Sequence, residues 1–348
     1  MLVRPIAIIV AGVLVAGPVP GHHSDAAIDI NSILNIEGVV TEYSWRNPHV
    51  YFTVETDAQG EGLTEWTVQM AGSITVSRMG WTRDTLTVGD RVFVGLHPAR
   101  DGRPYGLFDS LDKEGLVSPT SFDSETGEIR FVAPEVTASA MTLEGKWMAD
   151  GAEVESYVDG YAGFTRTHIK LTERGAAAQI AYDEFSSENP ELSCLGRPTP
   201  AIIFYSDLFP IEIEFSAGAE TIFIRGQFFD EERMVYMDGR DHPGDGERFH
   251  FGHSIGWWEG DTLVVDTRNF TDNRSPYQNG IPSGAEKHVV ERYRLSDDGT
   301  RIFVQFTLED PEYMLEPLTH SRELLYRPGA DMSPFNCDME STQRFVPR

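Results

Sequence analysis

Cysteine is scarce in this chain: two residues, Cys194 and Cys337, among 348. Neither stands in a Cys-x-x-Cys pair, which excludes a zinc ribbon or a dithiol redox motif. Two cysteines suffice for one disulfide in an oxidising compartment, and a disulfide is the expectation, ahead of a shared metal. In the chain-entropy treatment so long a loop adds on the order of 4–5 kcal/mol. Positive charge is also short, with 28 Lys and Arg against 55 Asp and Glu, a net of −27. A field of that sign repels phosphate backbones and anionic lipid, so nucleic acid is not an expected partner. Long apolar runs are missing too. Ile6 to Gly17 is apolar for only twelve residues, too short to cross a bilayer core of roughly 30 Å as a helix. No later run is long enough either, so no membrane insertion is expected. Phosphate loops and dinucleotide fingerprints are absent. Gly252-His253-Ser254-Ile255-Gly256 has the outline of a nucleophile elbow, but it lies among strands and no helix follows.

What is present begins with the first 21 residues. Arg4 is a short positive region, the apolar run follows, and Val19-Pro20-Gly21 offers small residues for cleavage. Residues 1–21 therefore read as a secretory signal, and the mature protein is expected to be soluble and periplasmic or secreted. The length allows two domains, and a hydrophobic content of 40% with 11% aromatics is ordinary for globular chains.

Strand signals dominate. Ile33–Trp45, Val50–Thr56, Leu63–Met70, Arg91–His97 and Tyr105–Leu111 read as five strands, with a short helix over Ala71–Met79. Three strands, a helix and two strands predict a small five-stranded, OB-like barrel over residues 22–111. Residues 112–140, rich in Ser, Asp, Glu, Pro and Gly, read as a linker. Residues 141–348 open on Leu143–Met148, whose Gly145-x-Trp147 resembles the start of lipocalin-type barrels, with the tryptophan plugging one end. Strands are then expected at Phe164–Thr172, Ala201–Tyr205, Ile211–Ser216, Glu220–Phe229 and Arg233–Asp238. Further strands are expected at Gly252–Glu259, Thr262–Arg268, His288–Leu295, Arg301–Asp310 and Thr319–Tyr326. So many successive strands must close or stack to hide their edges, which predicts an antiparallel, lipocalin-like barrel, with a sandwich as the alternative. The fold class is all-β.

Candidate chemistry centres on Gly239–Phe270, which carries His242, His250, His253 and the adjacent Trp257 and Trp258. Alternation in His288–Leu295 turns Val289, Glu291, Tyr293 and Leu295 inward. A carboxylate there would be desolvated and suited to acid–base work. Asp310, at the end of the next strand's inward row, falls at the barrel mouth. The catalytic candidates are His253, Glu291 and Asp266. Arg240, His242, Trp257, Trp258, Tyr293 and Asp310 are candidate ligand-binding residues, one tryptophan facing the cavity and the other outside. The competing reading makes the acids structural ion pairs and turn caps. A hydrophobic small molecule is the expected partner, held by an exported binding protein. The alternative is a cofactor-independent enzyme of lyase, hydratase, isomerase or cyclase type.

A third reading is metal binding. Cleavage after Gly21 leaves His22 with a free amine beside its imidazole. His23 or His49 would add a second imidazole to form the nitrogen set that copper favours.

Two stretches carry resemblances. His22-His23-Ser24, Asn47-Pro48-His49 and Gly80-Trp81-Thr82-Arg83 resemble an uncharacterised bacterial exported family, over roughly residues 22–111. From about Cys194 the chain is similar to a second such family. The matching residues are Asp238 to Pro243, Gly252 to Thr267, Val290 to Arg292, Glu309 to Pro311 and Cys337. Asp241 stands where that family usually has proline, and Trp257 where it has a basic residue. The second resemblance implies a periplasmic setting and pairing of Cys194 with Cys337, and brings no activity.

Overall fold

The computed structural model describes residues 28–29, 32–57, 62–113, 138–150, 160–182, 186, 189–244, 246–271, 273–278 and 280–344. The signal-like start, His22, His23 and most of the expected linker lie outside the described residues.

Five strands form the first barrel: β1 (Leu34–Ser44), β2 (Tyr51–Asp57), β3 (Leu63–Gln69), β4 (Arg91–Pro98) and β5 (Tyr105–Lys113). Helix α1 (Ser73–Arg78) follows β3. The order β1-β2-β3-β5-β4 closes through antiparallel pairing of β1 with β4, while β3 and β5 run parallel. This is the OB-like arrangement predicted from the sequence. Val40, Phe52, Val54, Val68, Val94 and Leu96 fill it, with Trp81 buried beside them. Gly38 permits the strand crossing, since a Cβ there would lie 2.2 Å from the Glu55 carbonyl oxygen.

The second barrel has nine strands. They are β6 (Gly145–Ala149), β7 (Ile211–Phe215), β8 (Thr221–Gly226), β9 (Glu231–Tyr236), β10 (His253–Glu259) and β11 (Thr262–Arg268), then β14 (His288–Leu295), β15 (Arg301–Glu309) and β16 (Leu318–Tyr326). Between β11 and β14, β12 (Asn273–Gln278) and β13 (Ile281–Ser283) form a separate two-stranded sheet. Strictly alternating burial along β15 shows the rule that builds the wall: Ile302, Val304, Phe306 and Leu308 face in. The ring closes where β16 pairs with β6. Every neighbour is antiparallel except β9 and β10, which run parallel. The exception follows from residues 237–252, which return the chain along the wall before β10 starts and carry His242 with them. Trp147 is fully buried, its indole N–H donating to the Leu143 carbonyl at 2.9 Å.

Two expected strands are helices. Phe164–Thr172 overlaps α2 (Gly160–His168), and Ala201–Tyr205 holds α4 (Ala201–Phe204); α3 (Glu173–Ala181) lies between them. In Ala201–Phe204 a short apolar run has no period to distinguish strand from buried helix. Here the runs pack into the barrel: Phe164, Ile203 and Phe204 share one core with Trp147, Tyr293, Phe306 and Leu324.

The last residues return to the first barrel. Cys194 and Cys337 are joined, Cα to Cα 5.7 Å, and Cys337 bridges in parallel to Asn47. Asn47 donates to the Phe335 carbonyl, Arg46 pairs with Asp338 and Glu340 at 3.0 Å, and Arg344 meets Glu42 at 2.7 Å. Phe335 joins Phe209 and Phe229 in an aromatic cluster that also takes in Ile74 of α1.

Candidate active site on the outer barrel wall

The wall formed by β10, β11 and β14 has two chemically distinct faces. On β14, Val289, Glu291 and Tyr293 point in, and His288, Val290, Arg292 and Arg294 point out. On β11, Val265 and Thr267 are buried, and the intervening Asp266 is half-buried on the outer side. On β10, Ser254 faces in and bonds Thr267 (2.8 Å), which leaves His253 and Ile255 outside. Gly256 also faces in, because a Cβ there would come within 2.7 Å of the Met237 sulfur and a Val235 methyl.

Glu291 and His253 therefore stand on opposite faces, and the expectation that they share one pocket is overturned. The strand β10 turns its smallest residues, Ser254 and Gly256, inward, which leaves His253 outside. Glu291, with no exposed surface, is gripped by the Arg233 guanidinium: Nη1 donates to Oε2, and Nη2 to Oε1 at 3.1 Å. Tyr293 OH donates to the same Oε1 at 3.0 Å. Burial and the Glu291 charge push the Tyr293 phenol well above its usual range. Arg233 is held charged: burial alone would favour the neutral form, and the Glu291 charge more than offsets it. With both carboxylate oxygens engaged, Glu291 has the geometry of a structural ion pair.

The outer face gathers the histidines. Asp266 receives His242 Nε2 on Oδ1 (2.9 Å) and His288 Nε2 on Oδ2 (2.8 Å). His242 Nδ1 lies 3.1 Å from His253 Nδ1. The second nitrogen of His288 faces Glu309 at 3.4 Å, and Arg268 Nε reaches Asp266 at 3.2 Å. Burial raises the Asp266 pKa, but the His288 hydrogen bond and charge, followed by the His242 hydrogen bond, outweigh it and hold the group at about 2. Asp266 is thus an acceptor only. With a singly protonated His242, Nε2–H donates to Asp266 and Nδ1 accepts the His253 Nδ1–H, an arrangement that places the His253 lone pair on Nε2. That Nε2 makes no hydrogen bond among the described residues. Burial, followed by the neighbouring His242 and Arg240, lowers the His253 pKa. Tyr236 stacks on His253 at 5.0 Å, and the Arg240 guanidinium caps Tyr236 at 3.9 Å.

His253, Asp266, His242 and Arg240 are thus brought together. His288 and Glu309 were missed, although the alternation that turned Glu291 inward places His288 on the face shared with Asp266. Other expected residues lie elsewhere. Trp257 and Trp258 are 41% and 46% exposed, so neither lines a cavity; Trp257 donates to Glu259 (3.0 Å) and Trp258 meets the edge of Phe215. Tyr293 is sealed in the core. Asp310 is buried, accepts the Gly284 N–H at 2.9 Å, and burial raises its pKa to about 6. His49 packs under the chain's tail, Nδ1 3.3 Å from the Met70 carbonyl, and burial lowers its pKa. Its expected copper partners His22 and His23 are outside the described residues. Among the described residues, no set of three or more His, Cys, Asp or Glu side chains is arranged to hold a metal ion, and no helix is long and apolar enough to cross a membrane.

Residues 11–109 match the model of a family of unknown function, DUF6152. The match covers most of the first barrel and stops before the histidine cluster. No curated protein matches the chain.

Proposed function

We propose that the protein is an exported, cofactor-independent enzyme that moves a proton on an apolar small molecule, with His253 Nε2 as the base. One observation carries the reading: Asp266 orders His242, and His242 orders His253, so that a neutral imidazole presents a lone pair at a half-buried surface. A proton taken at Nε2 makes His253 an imidazolium, whose Nδ1–H already points at the His242 acceptor, with the Asp266 carboxylate next in line. Tyr236, Phe249 and Ile255 supply apolar contact around the base, with Phe249 5.8 Å from the His253 ring. In isomerisation the His253 imidazolium returns the proton to a different atom of the substrate, and in dehydration it gives it to the departing hydroxyl, which leaves as water. The disulfide and the signal-like first 21 residues support export to an oxidising compartment.

Deuterium exchange tests the proposal. The full mature protein is incubated in heavy water with the lipophilic small molecules of its host, and incorporation at carbon is followed by mass spectrometry. Incorporation or turnover that disappears in His253→Gln and in Asp266→Asn is expected. Incorporation unchanged in both variants would remove His253 as the base.

A further inference from the structure

Further along the same outer wall, at the opposite end of β14, lies an open groove of about 730 Å³. Thr262, Arg292, Arg294, Phe303, Gln305 and Ser321 line it together with Asp150 and Glu323. The register sets these side chains in rows: Thr262, Arg294 and Phe303 in one, Arg292 and Gln305 in the next. The cations here differ in one respect. Arg292 is neutralised by Glu259, and Arg301 holds Glu323 at 2.6 Å. Arg294 has no carboxylate within 4.0 Å among the described residues, and its guanidinium lies over the Phe303 ring at 4.9 Å. In a chain with 55 acidic residues, a guanidinium without an acid, on an aromatic floor inside a ligand-sized groove, lacks an anion.

We infer that this groove is a second small-molecule site, which takes an aromatic or otherwise flat organic carboxylate. The carboxylate receives the Arg294 fork, the ring shares the Phe303 face, and the amide of Gln305 and the hydroxyls of Thr262 and Ser321 contact the polar edge. Six residue steps along β14 separate His288 from Arg294, roughly 20 Å of strand, so one small ligand cannot touch both sites. This inference is independent of the proton-transfer reading.

Calorimetric titration of the full mature protein with 1-naphthoate and with its neutral counterpart 1-naphthamide tests it. The acid is expected to bind at least about tenfold more tightly than the amide, the difference expected of a charge-assisted pair. Arg294→Gln should erase that preference, and Arg294→Lys should restore part of it. Gln305→Glu, which places a carboxylate opposite Arg292 and diagonal to Arg294 without removing any cation, should weaken naphthoate binding at least about tenfold more than naphthamide binding. No naphthoate binding up to about 1 mM, equal binding of acid and amide, or an acid preference that survives in both Arg294→Gln and Gln305→Glu would overturn the proposal.

Discussion

The inner and outer faces of one barrel wall use similar residues to opposite ends. Inside, Glu291, Arg233 and Tyr293 satisfy one another and leave nothing for a ligand. Outside, Asp266 engages two imidazoles, and the third, His253, has one nitrogen without a hydrogen bond among the described residues. A carboxylate with a full set of partners stabilises structure, whereas a chain of partners that ends in a free lone pair can do chemistry. Burial alone does not separate the two roles, because the more deeply buried acid is the structural one.

The largest effect should come from breaking the inner set. Glu291→Gln leaves the Arg233 charge buried without its counter-ion and should cost roughly 3–5 kcal/mol in denaturant unfolding. Replacing both partners by leucine and methionine should recover most of that loss. A Glu291→Gln protein of unchanged stability would mean that the inner face is not structural. On the outer face the order reverses. His253→Gln should lower proton exchange into substrate by about 10²–10⁴-fold while stability stays within ~1 kcal/mol. A large melting shift with little change in exchange would merge the two faces into one structural class.

A pH effect comes next. His320 stacks in the core 5.9 Å from Phe204, and burial, then the Arg322 and His168 charges, lower its pKa to about 4. The unfolded chain takes up that proton near pH 6.5, so between about 6.5 and 4 the unfolded state binds more protons and stability falls as pH falls. His320→Phe should flatten this acid limb in pH-dependent melting; an unchanged slope would place the effect in other groups. The smallest change is expected at Trp258→Ala. The ring is nearly half exposed, so stability should move by only ~0.5 kcal/mol, and a larger loss would show that the outer face buries more than its surface suggests.

How much of this was legible depended on period. All five strands of the first barrel and most strands of the second could be read from alternation, because Ile302, Val304, Phe306 and Leu308 repeat every second residue. Ala201–Phe204 could not, since four apolar residues fit a buried helix as well as a strand. On the wall, Val264 and Val265 are both buried, so β11 does not announce which way Asp266 points. On β10 the inward residues are Ser254 and Gly256, chosen by the space that Val235 and Met237 leave. His253 could therefore be singled out from the sequence, but not the side of β10 on which it stands. The link from His242 to Asp266 depends on how residues 237–252 fold back, which no local pattern records.

The return of the tail to the first barrel has a consequence for the order of assembly. Asn47, Arg46 and Glu42 belong to the earliest part of the chain to be made, yet their partners Phe335, Asp338 and Arg344 are among the last. The first barrel closes its sheet through its own strands, but the part of its docking made by Phe335, Asp338 and Arg344 needs the tail in place, with Cys337 joined to Cys194. Without those contacts the two halves are left with the chain between them and with α1, whose Arg78 reaches the Leu208 carbonyl and the Gln227 side chain, so a truncated or reduced chain would be only partly latched.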